Sequence, residues 1–307
     1  MKTVLALITV MAVSQAILPA RALDLRQSIA MDKKTRTYIV HVPRELPESQ
    51  PVPLVIVLHG GLGNARTAQF DSEMSQKSDK EGFLVAYPNG TGRGSRFFLV
   101  WNAGRCCGIA VRRRTDDIAF IKRMIEDLQN EYHIDKSRIF VTGISNGGMM
   151  AYRVGAELGD IVAAIAPVAG FNAAPAVDVK SPVSVIAFHG TADRVIPYCG
   201  GDGGIFGYKI TTPHISQSIQ FWVDKDRCSS KPKRTESGSI VKETYQGGLN
   251  GTEVCLYTIK GGNHSWPGGK LAWPPWKHPT RELSATDAMW DFFEQHPKLP
   301  QTIEGGN

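Results

Sequence analysis

Residues 143–147 read Gly-Ile-Ser-Asn-Gly. A serine hydroxyl is inert at its own pKa; it becomes a nucleophile when a neighbouring base takes its proton and a carboxylate orients that base. The Gly-x-Ser-x-Gly pattern suits a strand-to-helix turn so sharp that only small residues fit on either side of the serine. Ser137-Arg-Ile-Phe-Val-Thr142 reads as the strand before it and Gly148–Glu157 as the helix after it, so Ser145 is the candidate nucleophile. The chemistry open to such a turn is attack on an acyl carbonyl.

The partners are sought downstream, in the order serine, acid, histidine. Asp193 lies in His189-Gly-Thr-Ala-Asp193, directly after the apolar run Val183–Phe188. A carboxylate leaving that strand lands at the carboxyl edge of a parallel sheet, where sites of open α/β sheets form. Asp160, Asp178 and Asp202 have no strand to aim them in this way. For the base, His264 follows the run Val254–Ile259 on the glycine-rich loop Lys260-Gly-Gly-Asn-His264. His59 and His189 end strands just before glycines, where an imidazole braces a loop.

An oxyanion needs two backbone donors. The amide of Asn146, next to the nucleophile, is one candidate, and the loop Gly60-Gly61-Leu62-Gly63 offers the other, with Gly61 favoured and Leu62 second. Trp101 and Trp266 lie close to these stations in the chain and are candidate walls of the substrate pocket. The stiff segment Trp273-Pro-Pro-Trp276 is a candidate cover. No Cys-x-x-Cys spacing or histidine cluster suggests a metal, and no cofactor motif is present, so none is expected.

These stations require a scaffold. Thr35–Val42 alternates as a strand, and Val52–Leu58 is a continuous apolar run of the kind buried on both faces of a parallel sheet. Helices fit Ala68–Glu81, Thr115–Glu131, Ile215–Val223 and Thr286–Gln295; strands fit Phe83–Tyr87, Val162–Pro167 and Val254–Ile259. The repeated β-α alternation implies one α/β domain, with a mostly parallel central sheet covered by helices on both faces.

At the N-terminus, Lys2, a short apolar run from Thr3 and Ala20-Arg-Ala22 form a signal-peptide pattern. Cleavage after Ala22 is expected, leaving residues 23–307 as a secreted or periplasmic catalytic domain with no membrane segment. The chain has a net charge of +6, with basic clusters at Arg112–Arg114 and Lys231–Arg234. These lack aromatic interleaving and read as solvated faces, so no nucleic-acid partner is expected. A monomer is expected. Five cysteines in an exported chain suggest disulfides with one thiol left over. Cys228 and Cys255 bracket the stretch before the last strand, and of adjacent Cys106 and Cys107 at most one pairs easily with Cys199.

Taken together, Leu58-His-Gly-Gly61, Trp101-Asn-Ala-Gly104, Cys106-Cys-Gly108, Asp116-Asp-Ile-Ala-Phe120, Gly143-Ile-Ser-Asn-Gly-Gly-Met149, His189-Gly-Thr-Ala-Asp193, Gly262-Asn-His-Ser-Trp-Pro-Gly268 and Ala285–Phe293 resemble the secreted polyhydroxybutyrate depolymerase and feruloyl esterase group of α/β-hydrolases. The resemblance spans nearly all of the expected mature chain. It implies the α/β-hydrolase fold and an ester hydrolase with Ser145 as nucleophile, Asp193 as acid and His264 as base. It also favours disulfides Cys228–Cys255 and Cys107–Cys199. Depolymerases of this group that erode solid polyester carry a linker and a polymer-binding domain, and neither is visible here. The expected substrates are therefore hydroxyalkanoate oligomers or related short-chain esters, with feruloyl or acetyl esters of plant polysaccharide as the alternative. A peptidase of the same fold and a non-catalytic polymer- or carbohydrate-binding protein on a hydrolase scaffold are the competing classes.

Overall fold

The computed structural model describes residues 22–299 apart from 32–33, 48, 93–96, 206–207 and 274–276. Most of the expected signal segment, and most of the Trp273–Trp276 cover, lie outside the described residues.

The chain opens with β1 (Leu23–Met31), β2 (Lys34–Val42) and β3 (Val52–Leu58). After α1 (Ala65–Ser72), α2 (Met74–Glu81), β4 (Leu84–Pro88), α3 (Gly108–Arg112) and α4 (Asp117–Glu131) comes the long strand β5 (Ile134–Ile144). It is followed by α5 (Asn146–Glu157), β6 (Ala164–Val168) and β7 (Ser184–Gly190). A hairpin of β8 (Gly201–Ile205) and β9 (Tyr208–Thr212) then leads to α6 (Ile215–Lys225). The last elements are β10 (Lys233–Ser237), β11 (Ile240–Tyr245), β12 (Val254–Ile259), the short pair β13 (His264–Ser265) and β14 (Ala272–Trp273), and α7 (Ala285–Gln295).

Ten strands form one sheet in the order β1-β2-β4-β3-β5-β6-β7-β12-β11-β10. The six from β4 to β12 are parallel, and antiparallel strands finish both edges. Every residue of β3, β6 and β7 is buried, as continuous apolar runs require when both faces are covered. Along β3 the faces alternate: Leu54, Ile56 and Leu58 pack with α4, α5 and α6, whereas Val55 and Val57 pack with α1, α2 and α7. On the second face Phe83 stacks on Trp290 at 4.0 Å and Phe140 on Phe293 at 4.5 Å, fastening α7 to the sheet.

Two departures from the sequence expectation concern a helix and the cysteines. The helix anticipated over Ala68–Glu81 is two helices, broken where Glu73 takes a left-handed backbone (φ 53°). The carbonyl of Ser72 is claimed by the Thr286 hydroxyl of α7 (2.6 Å), and the Ser72 hydroxyl turns back to Ala68 (2.7 Å), so the first helix ends there. The second departure concerns the cysteines. Side chains on successive strand residues point to opposite faces. Cys255 on β12 therefore faces the α7 side, whereas Cys228 packs on the α6 side, and the two remain free thiols on opposite faces of the sheet. Cys107 is bonded to its neighbour Cys106, which leaves Cys199 exposed and free. Neither expected disulfide is formed.

Because Phe293 is fully buried against Phe140, its truncation opens a cavity under the sheet. Phe293→Ala is expected to cost about 3–5 kcal/mol of stability, read as a lower urea midpoint at unchanged m-value. A loss below 1 kcal/mol would show that α7 is not fastened by this stack.

Candidate active site

Ser145 sits between β5 and α5 with φ 58° and ψ −121°, a strained backbone for any residue with a side chain. Its amide donates to the Val168 carbonyl (2.8 Å) and its carbonyl receives the Met149 amide (2.9 Å), so the strain is held from both sides. Gly147 passes directly against the carbonyl oxygens of Leu58 and His59, where a Cβ would collide. At Gly143 a Cβ would come within 2.7 Å of Gly147 and Leu58. These two glycines let β5, α5 and the end of β3 close around the serine.

Asp193 lies on the turn after β7, almost fully buried. Its Oδ1 accepts the amides of Val195 (2.8 Å) and Ile196 (2.9 Å), and its Oδ2 accepts Nδ1–H of His264 (2.7 Å). Burial works to raise its pKa, but the nearby imidazoles of His264 and His189 and these hydrogen bonds outweigh it and hold the carboxyl below the usual range. The loops carrying the two residues are tied together by main-chain bonds from Ala192 to Gly262 (2.8 Å) and Thr191 to Ile259 (2.9 Å). His264 begins β13, paired with Trp273 of β14. His189 is the brace its position suggested: its Nε2–H donates to the Ile196 carbonyl (2.8 Å), and burial pushes its pKa down.

Gly61 and Asn146 come side by side where β3 ends, a Cβ placed on Gly61 lying 3.8 Å from that of Asn146. The amide of Leu62 donates to Leu99 (2.8 Å), which removes it from competition with Gly61. The Asn146 side chain clasps residue 101: its Oδ1 accepts the Trp101 amide (2.7 Å) and its Nδ2 donates to the Trp101 carbonyl (3.2 Å).

Trp101 and Trp266 are not pocket walls. Trp101 is fully buried; its indole N–H donates to the His59 carbonyl (2.9 Å), and its ring lies 4.9 Å from the His59 imidazole. Burial pushes the His59 pKa down to about 4, so the ring is neutral, donating from Nδ1 to Gly60 (2.7 Å) and accepting the Gly90 amide at Nε2 (3.0 Å). Trp101 and His59 thus brace the loop after β3. Trp266 is equally buried behind His264 and donates to Thr286 (3.0 Å). An indole finds a buried partner for its N–H as readily in packing as in a pocket.

Ser145, Asn146, Gly61 and His264 line one cavity of about 560 Å³. Its walls are mostly apolar, with Val100, Met149, Val195, Ile210 and Leu271 among them, together with the Cys106–Cys107 pair. Asp71 of α1 also faces this space. No sequence signal marked it, because a polar residue on a surface-seeking helix is ordinary.

The model of the dienelactone hydrolase family matches residues 41–200, a little over half of the chain. The chain belongs to the dienelactone hydrolase family. Among curated proteins it is 30% identical over 244 residues to feruloyl esterase B of Piromyces equi, covering 78% of this chain and 44% of that protein. It is 27% identical over 250 residues to poly(3-hydroxyalkanoate) depolymerase C of Paucimonas lemoignei, covering 74% and 58%. The chain thus spans less than two thirds of either relative. An acetyl xylan esterase from Aspergillus awamori superposes with a TM-score of 0.63 at 17% identity, over 88% of this chain and 99% of that one, which establishes the α/β-hydrolase fold. These matches agree with the resemblance carried by the motifs.

The Asp71 carboxyl is pushed up to about 6, because burial outweighs the amides of Leu271 and Lys270 that its Oδ1 accepts. A folded-state value above the unfolded one means that the native protein binds the extra proton between about pH 4 and 6. Stability therefore falls as pH rises through that window. Asp71→Asn is expected to be more stable than wild type at pH 7–8, on the order of 2 kcal/mol, and equal to it near pH 4. Calorimetric melting at both pH values checks this.

Proposed function

We propose that the chain is a serine carboxylic ester hydrolase whose substrates are feruloyl-type esters of plant polysaccharide. The observation that carries the reading is the apolar cavity of about 560 Å³ that opens on Ser145 beside a histidine already held by a buried aspartate. That space lies within the usual range for small-molecule sites. It far exceeds what an acetyl group fills and suits an aromatic ring. The similarity to a feruloyl esterase over 78% of the chain supports the same substrate class.

In this mechanism His264 takes the proton from the Ser145 hydroxyl as the serine attacks the ester carbonyl. Asp193, already bonded to Nδ1–H, leaves Nε2 as the base and stabilises the imidazolium that forms. The oxyanion rests on the amides of Gly61 and Asn146, the latter at the N-terminus of α5, where the helix dipole favours negative charge. Protonated His264 returns the proton to the leaving alcohol. Water, activated by the same imidazole, then releases the acid. The strained turn at Ser145 keeps the nucleophile exposed without any further movement.

The likeness to a poly(3-hydroxyalkanoate) depolymerase favours a second reading, in which hydroxyalkanoate oligomers are the substrate. Rates on methyl ferulate, hydroxybutyrate oligomers and acetylated xylan, measured with one preparation, rank the readings. A rate on the oligomers far above that on methyl ferulate overturns the feruloyl assignment. Export goes with either substrate, and N-terminal sequencing of the mature chain is expected to begin at Leu23.

Ser145→Ala is expected to lower kcat on p-nitrophenyl esters by 10⁵-fold or more, on the order seen for isolated nucleophiles, and to abolish labelling by a fluorophosphonate probe while the circular dichroism spectrum is unchanged. Asp193→Asn should retain a small residual rate, because the orienting acid contributes less than the nucleophile. Labelling that persists in the alanine variant would remove Ser145 from the chemistry.

A further inference from the structure

Among the described charged residues that line the cavity, Asp71 is the one the mechanism does not use. It sits on the last turn of α1, 5% exposed, and lines the cavity between Ala68 and Leu271. Its two oxygens do different work. Oδ1 accepts the amides of Lys270 (3.1 Å) and Leu271 (2.8 Å), which pins the segment after the His264 loop onto α1. The hydrogen bonds that Asp71 makes with the described residues through its carboxyl fall on Oδ1, which leaves Oδ2 for the cavity that the residue lines. The carboxyl and His264 line the same cavity.

An apolar wall with one carboxylate oxygen open to the cavity is a poor surface for a plain acyl chain and a good one for a ring that carries a hydroxyl. The ring replaces water against Val100, Met149 and Leu271, and its O–H satisfies Oδ2. A protonated carboxyl can donate as well as accept, whereas an ionised carboxylate only accepts. It therefore selects a hydroxyl donor and disfavours an ether at the same place, because the ether leaves a buried anion unpaired.

We propose that Asp71 is a specificity-determining residue whose Oδ2 receives the phenolic hydroxyl of a hydroxycinnamoyl acyl group bound at Ser145. This rests on the feruloyl reading of the site and goes beyond it by naming the group that reads the ring. Because Asp71 is pushed up to about 6, its ionised, acceptor-only form dominates at neutral pH and recedes below that value.

The test compares kcat/KM for methyl ferulate with that for methyl 3,4-dimethoxycinnamate, and methyl p-coumarate with methyl 4-methoxycinnamate, in wild type, Asp71→Asn and Asp71→Ala. The ratio within each pair is independent of the fraction of enzyme that folds. Asparagine keeps an oxygen for the Lys270 and Leu271 amides but replaces Oδ2 with an N–H donor, so it preserves the pinning role and removes the acceptor. The wild type is expected to favour the phenol by tenfold or more in both pairs, as suits a hydrogen bond to a charged group. Both variants should bring the ratio to about one or below. Equal ratios in wild type and variants, with both cinnamates hydrolysed, overturn the role of Asp71 and leave the feruloyl reading standing. A wild type that turns over p-nitrophenyl acetate but neither cinnamate overturns both. A ratio that survives in Asp71→Asn and falls only in Asp71→Ala also overturns it, because that pattern reports loss of the pinned loop.

Discussion

The close approach of three backbones behind Ser145 is the constraint on which the site depends. Gly147 lies against the carbonyls of Leu58 and His59, and Gly143 lies against Gly147 and Leu58. Leu58 and Gly143 are register partners in neighbouring parallel strands, so the contact is set by the sheet itself. Once the strands are that close, the turn is forced into the left-handed backbone seen at Ser145, and the loop leaving β3 has to pass beside Asn146. The candidate nucleophile and the candidate oxyanion donors are thus products of one contact. Trp101 and His59 hold that loop from behind, which is why a tryptophan so close to the chemistry is wholly buried.

Two buried carboxylates near the cavity show how donors decide ionisation. Asp193 receives two amides on one oxygen and an imidazole N–H on the other, and it is held ionised in spite of burial. Asp71 receives the amides of Lys270 and Leu271 on one oxygen, and burial prevails. Asp193 has the His264 hydrogen bond and the neighbouring His189 imidazole, neither of which Asp71 has, and the same chemical group is pulled in opposite directions.

Much of this arrangement was legible in the sequence. The runs at Val52–Leu58 and Val254–Ile259 match strands residue for residue, and the alternation of strands and helices implied the mostly parallel sheet. The order of Ser145, Asp193 and His264 was readable because each follows a strand whose apolar run marks its end. The parts that could not be read lack such marks. Lys233–Ser237 is an exposed edge strand without alternation, and the glycine-rich hairpin Gly201–Thr212 reads as loop. The break at Glu73 depends on a hydroxyl from Thr286, more than two hundred residues away. The roles of Trp101, Trp266 and Asp71 depend on which side of a wall each side chain occupies, and local pattern does not encode that. The Cys228–Cys255 pairing failed for a related reason: local pattern does not say on which face of the sheet Cys228 packs.

The anchoring of Asp193 has a consequence for how such a site diversifies. The amides that orient its Oδ1 belong to Val195 and Ile196, and the side chains of those same residues form part of the cavity wall. Exchanging the side chains reshapes the wall and leaves the amides where they are. Inserting or deleting a residue there shifts the amides and swings the acid away from the imidazole. The shape of the cavity wall along this stretch is therefore free to drift by substitution, while its length is held fixed by the Asp193–His264 pair it supports.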